Sequence, residues 1–83
     1  MKYDETLFAK NITWLINNKK ISVKTLCNLI GKDRTLIQRW KNGDRQPIVR
    51  DVYLICDFLN ISMDDLITKD LSKTKDIKPF NQK

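Results

Sequence analysis

The stretch Ser22-Val23-Lys24-Thr25-Leu26-Cys27-Asn28-Leu29-Ile30-Gly31-Lys32-Asp33-Arg34-Thr35-Leu36-Ile37-Gln38-Arg39-Trp40-Lys41-Asn42-Gly43-Asp44-Arg45-Gln46-Pro47 decides the reading of this chain. Leu26, Leu29 and Ile30 recur at helical spacing behind Ser22, which can cap the first turn through its hydroxyl. Gly31 follows at once, suited to the left-handed conformation that closes a helix. Asp33 is placed to cap the next helix, since its carboxylate can accept from amides two and three residues on and its charge suits the positive helix end. Two short helices joined by the tight turn Gly31-Lys32-Asp33 are therefore expected, the second over about Asp33 to Asn42. Asn42-Gly43-Asp44 is a stop signal, and Pro47 fits the opening of a further helix.

Outward from this centre, Phe8, Ile12, Leu15 and Ile16 mark a first amphipathic helix between Glu5 and Asn18. Pro47 to about Leu59 carries Ile48, Val52, Ile55, Cys56 and Leu59 on one face. Ser62 with Asp65 caps a short fifth helix that buries Met63, Leu66 and Ile67. The expected fold is all-α, a compact five-helix bundle with one core and no strand candidate. The expected division is a domain over residues 1–69 and a polar tail over 70–83, in which Leu71, Ile77 and Phe80 are isolated apolar residues.

Composition narrows the chemistry. Eighty-three residues suit one domain with an economical core. With no histidine, the commonest general base and metal ligand is missing. No Gly-rich phosphate loop is present, and the carboxylate pairs Asp4-Glu5 and Asp64-Asp65 stand where helices begin, where the helix dipole accounts for them. An enzyme is not expected, nor a cofactor or a small-molecule ligand. Cys27 and Cys56 are isolated among apolar neighbours and read as reduced core residues. No apolar run reaches the roughly 18 to 20 residues of a membrane span, and the Met1-Lys2-Tyr3 start has no signal-peptide character. A cytoplasmic protein is expected.

The formal net charge is +6, which favours polyanion partners. Its placement is more telling, because all four arginines, Arg34, Arg39, Arg45 and Arg50, fall in one segment with Lys32 and Lys41, opposed there by Asp33 and Asp44 alone. Ile37 and Trp40 define the inward side of the third helix, so Thr35, Gln38, Arg39 and Asn42 face outward, with Arg34 at the flank. An α-helix fits the DNA major groove; arginine can donate twice to guanine, and glutamine can pair with adenine. Arg34, Gln38 and Arg39 are the candidates for base readout. Lys32, Lys41, Asn42 and Arg45 are candidates for phosphates, which fix register without reading sequence. Trp40 belongs to the core by its register with Ile37, whereas Trp14 lies off the main stripe, open to partial exposure or to packing against the tail.

From Ile12 to Leu66 the chain resembles the lambda-repressor-like, or Cro-like, helix-turn-helix family. The resemblance is carried by Ile12, Leu15, Ile21-Ser22, Leu26, Leu29, Gly31, Ile37, Trp40, Asn42-Gly43, Arg45, Pro47, Leu54, Leu59, Ser62, Asp65 and Leu66. It implies a five-helix fold, a homodimer on a near-palindromic DNA operator and, usually, transcriptional repression, in a phage or mobile-element setting. By position it assigns base contacts to Arg34, Thr35, Gln38 and Arg39. Phosphate contacts fall to the start of the second helix, where Lys24 stands, and to the loop at Asn42, Gly43 and Arg45.

Four positions depart from the family pattern. Val23 stands where glutamine often helps hold a phosphate. Ile16 and Lys41 replace a frequent buried arginine-glutamate pair, which frees Lys41 for phosphate. Leu36 replaces a small polar residue, and suits a thymine methyl or an extended core. The loss at Val23 also keeps open an alternative of another class, a protein-interaction module of antirepressor or antitoxin type. The fifth helix and the tail are the expected dimer surface.

Overall fold

In the computed structural model, residues 6–73 are described. They form five α-helices and a short 3₁₀ turn: α1 Leu7–Asn17, α2 Val23–Ile30, α3 Arg34–Asn42, α4 Val49–Leu59, α5 Met63–Thr68 and the turn Leu71–Lys73. No strand occurs among the described residues. None of their helices is long and apolar enough to cross a membrane.

Most boundaries follow from the caps. The Ser22 hydroxyl accepts from the Thr25 amide at 3.0 Å, the Asp33 carboxylate from the Leu36 amide at 3.3 Å, and the Ser62 hydroxyl from the Asp65 amide at 3.0 Å. Each satisfies an amide that the first turn leaves without a partner in its own helix. Gly31 and Gly43 close α2 and α3 with φ of 72° and 81°, a region costly for any residue with a Cβ. The third helix begins at Arg34, with Asp33 as its cap as expected. The fourth departs from expectation. It opens at Val49, with Ile48 in extended conformation as its cap residue and Pro47 preceding both. Ile48, expected on the buried face, is 52% exposed.

The core gathers Phe8, Ile12 and Leu15 of α1, Leu26 and Ile30 of α2, Ile37 and Trp40 of α3, Val52, Ile55, Cys56 and Leu59 of α4, and Leu66 of α5. Phe8 meets Trp40 edge to face, with ring centres 5.2 Å apart, a favoured aromatic geometry. Ile16, Leu29, Met63 and Ile67 are half-buried at its margin. Trp14 is also half-buried against the core.

Two buried polar residues escaped the reading of the stripes. Asn11 lies among Phe8, Ile12 and Leu15, where its side chain donates to the carbonyls of Leu66 at 2.6 Å and Lys69 at 2.7 Å. Its Oδ1 accepts from the Leu71 amide at 3.0 Å. This one side chain satisfies three backbone groups at the end of the bundle, and Leu71, expected as an isolated residue of a loose tail, is buried in the core. Ile77 and Phe80 lie outside the described residues, as do Asp4 and Glu5. The second buried polar residue is Asp51, near the start of α4.

Candidate nucleic-acid interface

The face of α3 turned away from the core carries Arg34, Thr35, Gln38, Arg39 and Asn42, all exposed. Ile37 and Trp40, buried on the opposite side, fix the rotation of the helix and hence this presentation. The first turn is held by the Asp33 cap, so Arg34 and Thr35 project from a defined helix start. Gln38 Nε2 donates to Asn42 Oδ1 at 3.2 Å, one turn apart, which orients the amide along the exposed face. The four residues expected to contact bases thus stand together on one helix.

Two grooves flank this helix. One, between α2 and α3, is lined by Val23, Arg34, Thr35, Ile37, Gln38 and Lys41. The other runs between α3 and the loop before α4 and includes Arg39, Leu36, Arg45, Gln46 and Ile48. Thr35 borders both. Arg45 is exposed and Lys41 half-exposed, so one cation lies on each flank of the helix. Lys41, Asn42 and Gly43 also line a third depression, shared with Trp14, Asn17 and Gln46. Lys24 is exposed on the first turn of α2. Val23 and Leu36 are half-buried against the core, so packing accounts for both departures from the family pattern. Gln46 was not anticipated at the site, because a glutamine beside a proline carries no helical or charge signal.

Lys32 is engaged elsewhere. Its ammonium lies 2.8 Å from Oδ2 of Asp51, whose other carboxylate oxygen meets Arg50 Nη1 at 3.0 Å. The same Arg50 nitrogen donates to the Ile30 carbonyl at 3.1 Å. Asp51 is fully buried, and a buried carboxylate is tolerated only with such partners. The cluster ties the end of α2 and the turn before α3 to the start of α4, and so holds the two walls of the groove beside Arg39. It uses two of the six basic side chains of the segment internally.

Trp40 Nε1 is a buried donor without a hydrogen-bond partner among the described residues. Aromatic packing carries this residue, at a desolvation penalty of about 1 to 3 kcal/mol. Cys56 donates a weak hydrogen bond to the Ser62 carbonyl at 3.6 Å. Burial, helped by the nearby Asp65 charge, pushes its thiol up to about 11. Cys27 and Cys56 are both free thiols.

A tight turn between two capped helices, with the second helix exposed and polar outward, is the geometry of major-groove readers. A family model described as helix-turn-helix matches residues 12–66. The chain belongs to the lambda-repressor-like, or Cro-like, helix-turn-helix family. Comparisons with curated proteins and with solved structures gave no significant match. In this helix-turn-helix protein, α2 and α3 are the motif, α3 is the helix in the recognition position, and α1, α4 and α5 supply the scaffold. The chain is a DNA-binding regulator of the family's type.

Proposed function

We propose that this protein is a sequence-specific binder of double-stranded DNA that acts as a transcriptional repressor. It reads a near-palindromic operator as a homodimer, with α3 in the major groove. The observation that carries the reading is the joint exposure of Arg34, Thr35, Gln38 and Arg39 on a helix whose rotation is fixed by Ile37 and Trp40. Arg34 and Arg39 supply forked donors for guanine, Gln38 suits adenine, and Thr35 offers a hydroxyl and a methyl near the first turn. Lys24, Lys41, Asn42 and Arg45 take phosphates on either side, and Gly43, whose amide donates to the Trp40 carbonyl, shapes the loop that presents them. Lys32 is left out of that set because its ammonium holds Asp51. Repression follows from occupancy of the operator, since a domain of this size that covers a promoter excludes the polymerase without any further surface.

Selection of bound duplexes from a random pool tests the reading, followed by titration of the winner and a scrambled duplex at two salt concentrations. A winner with two inverted half-sites, bound at least about a thousandfold more tightly than the scramble, is the expected result. Weak binding without sequence preference, falling steeply with salt, would leave the positive charge as the whole of the interaction and overturn it.

A further inference from the structure

The large exposed apolar side chains among the described residues are Ile48, Val49 and Tyr53, at 52%, 74% and 56% exposure. Ile48 lies just before α4, Val49 opens it, and Tyr53 stands one turn further along, where it shares a groove with Ile61 and Met63 beside the start of α5. On a helix turning about 100° per residue, Val49, Tyr53, Asp57 and Arg50 fall within an arc of about 100°. Asp51, Val52, Ile55, Cys56 and Leu59 take the buried side. The outer face of α4 therefore carries two exposed apolar side chains, Val49 and Tyr53, with a cation near its first turn and an anion near its last.

We propose that this face of α4 docks on the same face of a second copy of the chain, with the two helices antiparallel about a two-fold axis beside Tyr53. The charge pattern selects a second copy as the occupant. Arg50 and Asp57 are seven residues apart, about 10 Å along the axis. A two-fold axis between residues 53 and 54 therefore sets Arg50 of each copy opposite Asp57 of the other. Arg50 retains the reach for this, since its side chain is 57% exposed and its bonds to Asp51 and Ile30 both use Nη1. The same operation brings the two Tyr53 rings together at the axis. It turns the Ile48 and Val49 end of one copy toward the end of the other where Ile61 and Met63, half-buried, share a groove with Tyr53 and Asp57. Apolar meets apolar and opposite charges meet, as a self-complementary two-fold contact requires.

The docking deepens the operator reading and rests on it only for its consequence on DNA. Ile48 lines the groove beside Arg39 and Arg45, so the contact also fixes the distance between the two α3 helices and with it the half-site spacing.

Sedimentation equilibrium without DNA and titration of duplexes carrying one or two half-sites test it. The full-length wild type is compared with Tyr53→Glu and Asp57→Arg, after circular dichroism establishes that each variant is folded. Both positions are exposed, so unfolding is not expected. The wild type should self-associate, or bind two half-sites cooperatively, and each variant should weaken that association at least tenfold, about 1.4 kcal/mol. Binding to a single half-site should stay within about twofold of wild type. Folded variants that associate like the wild type would overturn the α4 contact. So would a wild type that is monomeric and non-cooperative on every two-site duplex. Failure of single half-site recognition by the wild type would instead sink the operator reading, and the sedimentation result would still judge the dimer.

Discussion

Lys32 shows what a single residue's surroundings add to its charge. In the sequence it is one more cation in a basic segment; in the fold it lies 2.8 Å from a fully buried carboxylate. Lys32→Ala should therefore lower stability by about 1 to 3 kcal/mol in denaturant titration, because Asp51 loses one of its two charged partners. The salt dependence of DNA binding should keep the wild-type slope. A slope reduced by about one ion with unchanged stability would return Lys32 to the phosphate contacts. Cys56 makes a second prediction. Its thiol, raised by burial and by Asp65 from 9.0 to about 11, keeps its proton in the folded chain where the unfolded chain loses it. Below pH 9 both states hold the proton and the shift contributes nothing; between 9 and 11 the wild type loses stability as pH rises. The stability gap between wild type and Cys56→Ala should narrow across that window, whereas a constant gap would contradict the account.

Asn11 and Asp51 were legible in position but not in role. Asn11 is three residues after Phe8 and four before Leu15, and Asp51 is four before Ile55 and eight before Leu59. Both therefore stand on buried stripes. Polar residue types point outward by default, and only the packed partners, three backbone groups for Asn11 and two cations for Asp51, reverse that. Leu71 was missed for the same reason, since nothing within the tail announces that Asn11 will hold its amide.

At the scale of elements, α2 and α3 were legible almost to the residue because local chemistry sets their ends. Ser22, Gly31, Asp33 and Gly43 each do one local task, and each does it in the structure. The start of α4 was not legible. Pro47 fits a first helical turn, but the chain stays extended through Ile48, and the exposed Ile48 cannot be told from a core residue by periodicity alone. The Asp33 cap makes a prediction for binding as well as for stability. Asp33→Ala should cost about 1 kcal/mol of stability in thermal or denaturant unfolding. It should also weaken binding to the preferred duplex, because Arg34 and Thr35 project from the turn that Asp33 closes. Equal affinity for that duplex would mean that the start of α3 does not position the contacts.

At the scale of the whole molecule, the core sets one helix outward with a cation on each flank, while two of the segment's six basic residues hold the scaffold together. Sequence-wide charge could not separate these duties, because it counts Arg50 and Arg45 alike. The distinction predicts that Arg45→Ala reduces the salt slope of DNA binding by about one ion without changing which base is preferred. An unchanged slope would remove Arg45 from the backbone contacts.

The central claim is that α3 reads bases. The most direct test is to select duplexes from one random pool with wild type and with Arg39→Ala side by side, then to titrate both proteins on the wild-type winner and on single-base variants of it. The account predicts that Arg39→Ala loses about 1 to 3 kcal/mol on the winner and becomes indifferent at one base position, repeated symmetrically in the two half-sites. An equal loss on every duplex, with the selected sequence unchanged, would make Arg39 a phosphate contact and contradict the assignment of α3 as the reading helix.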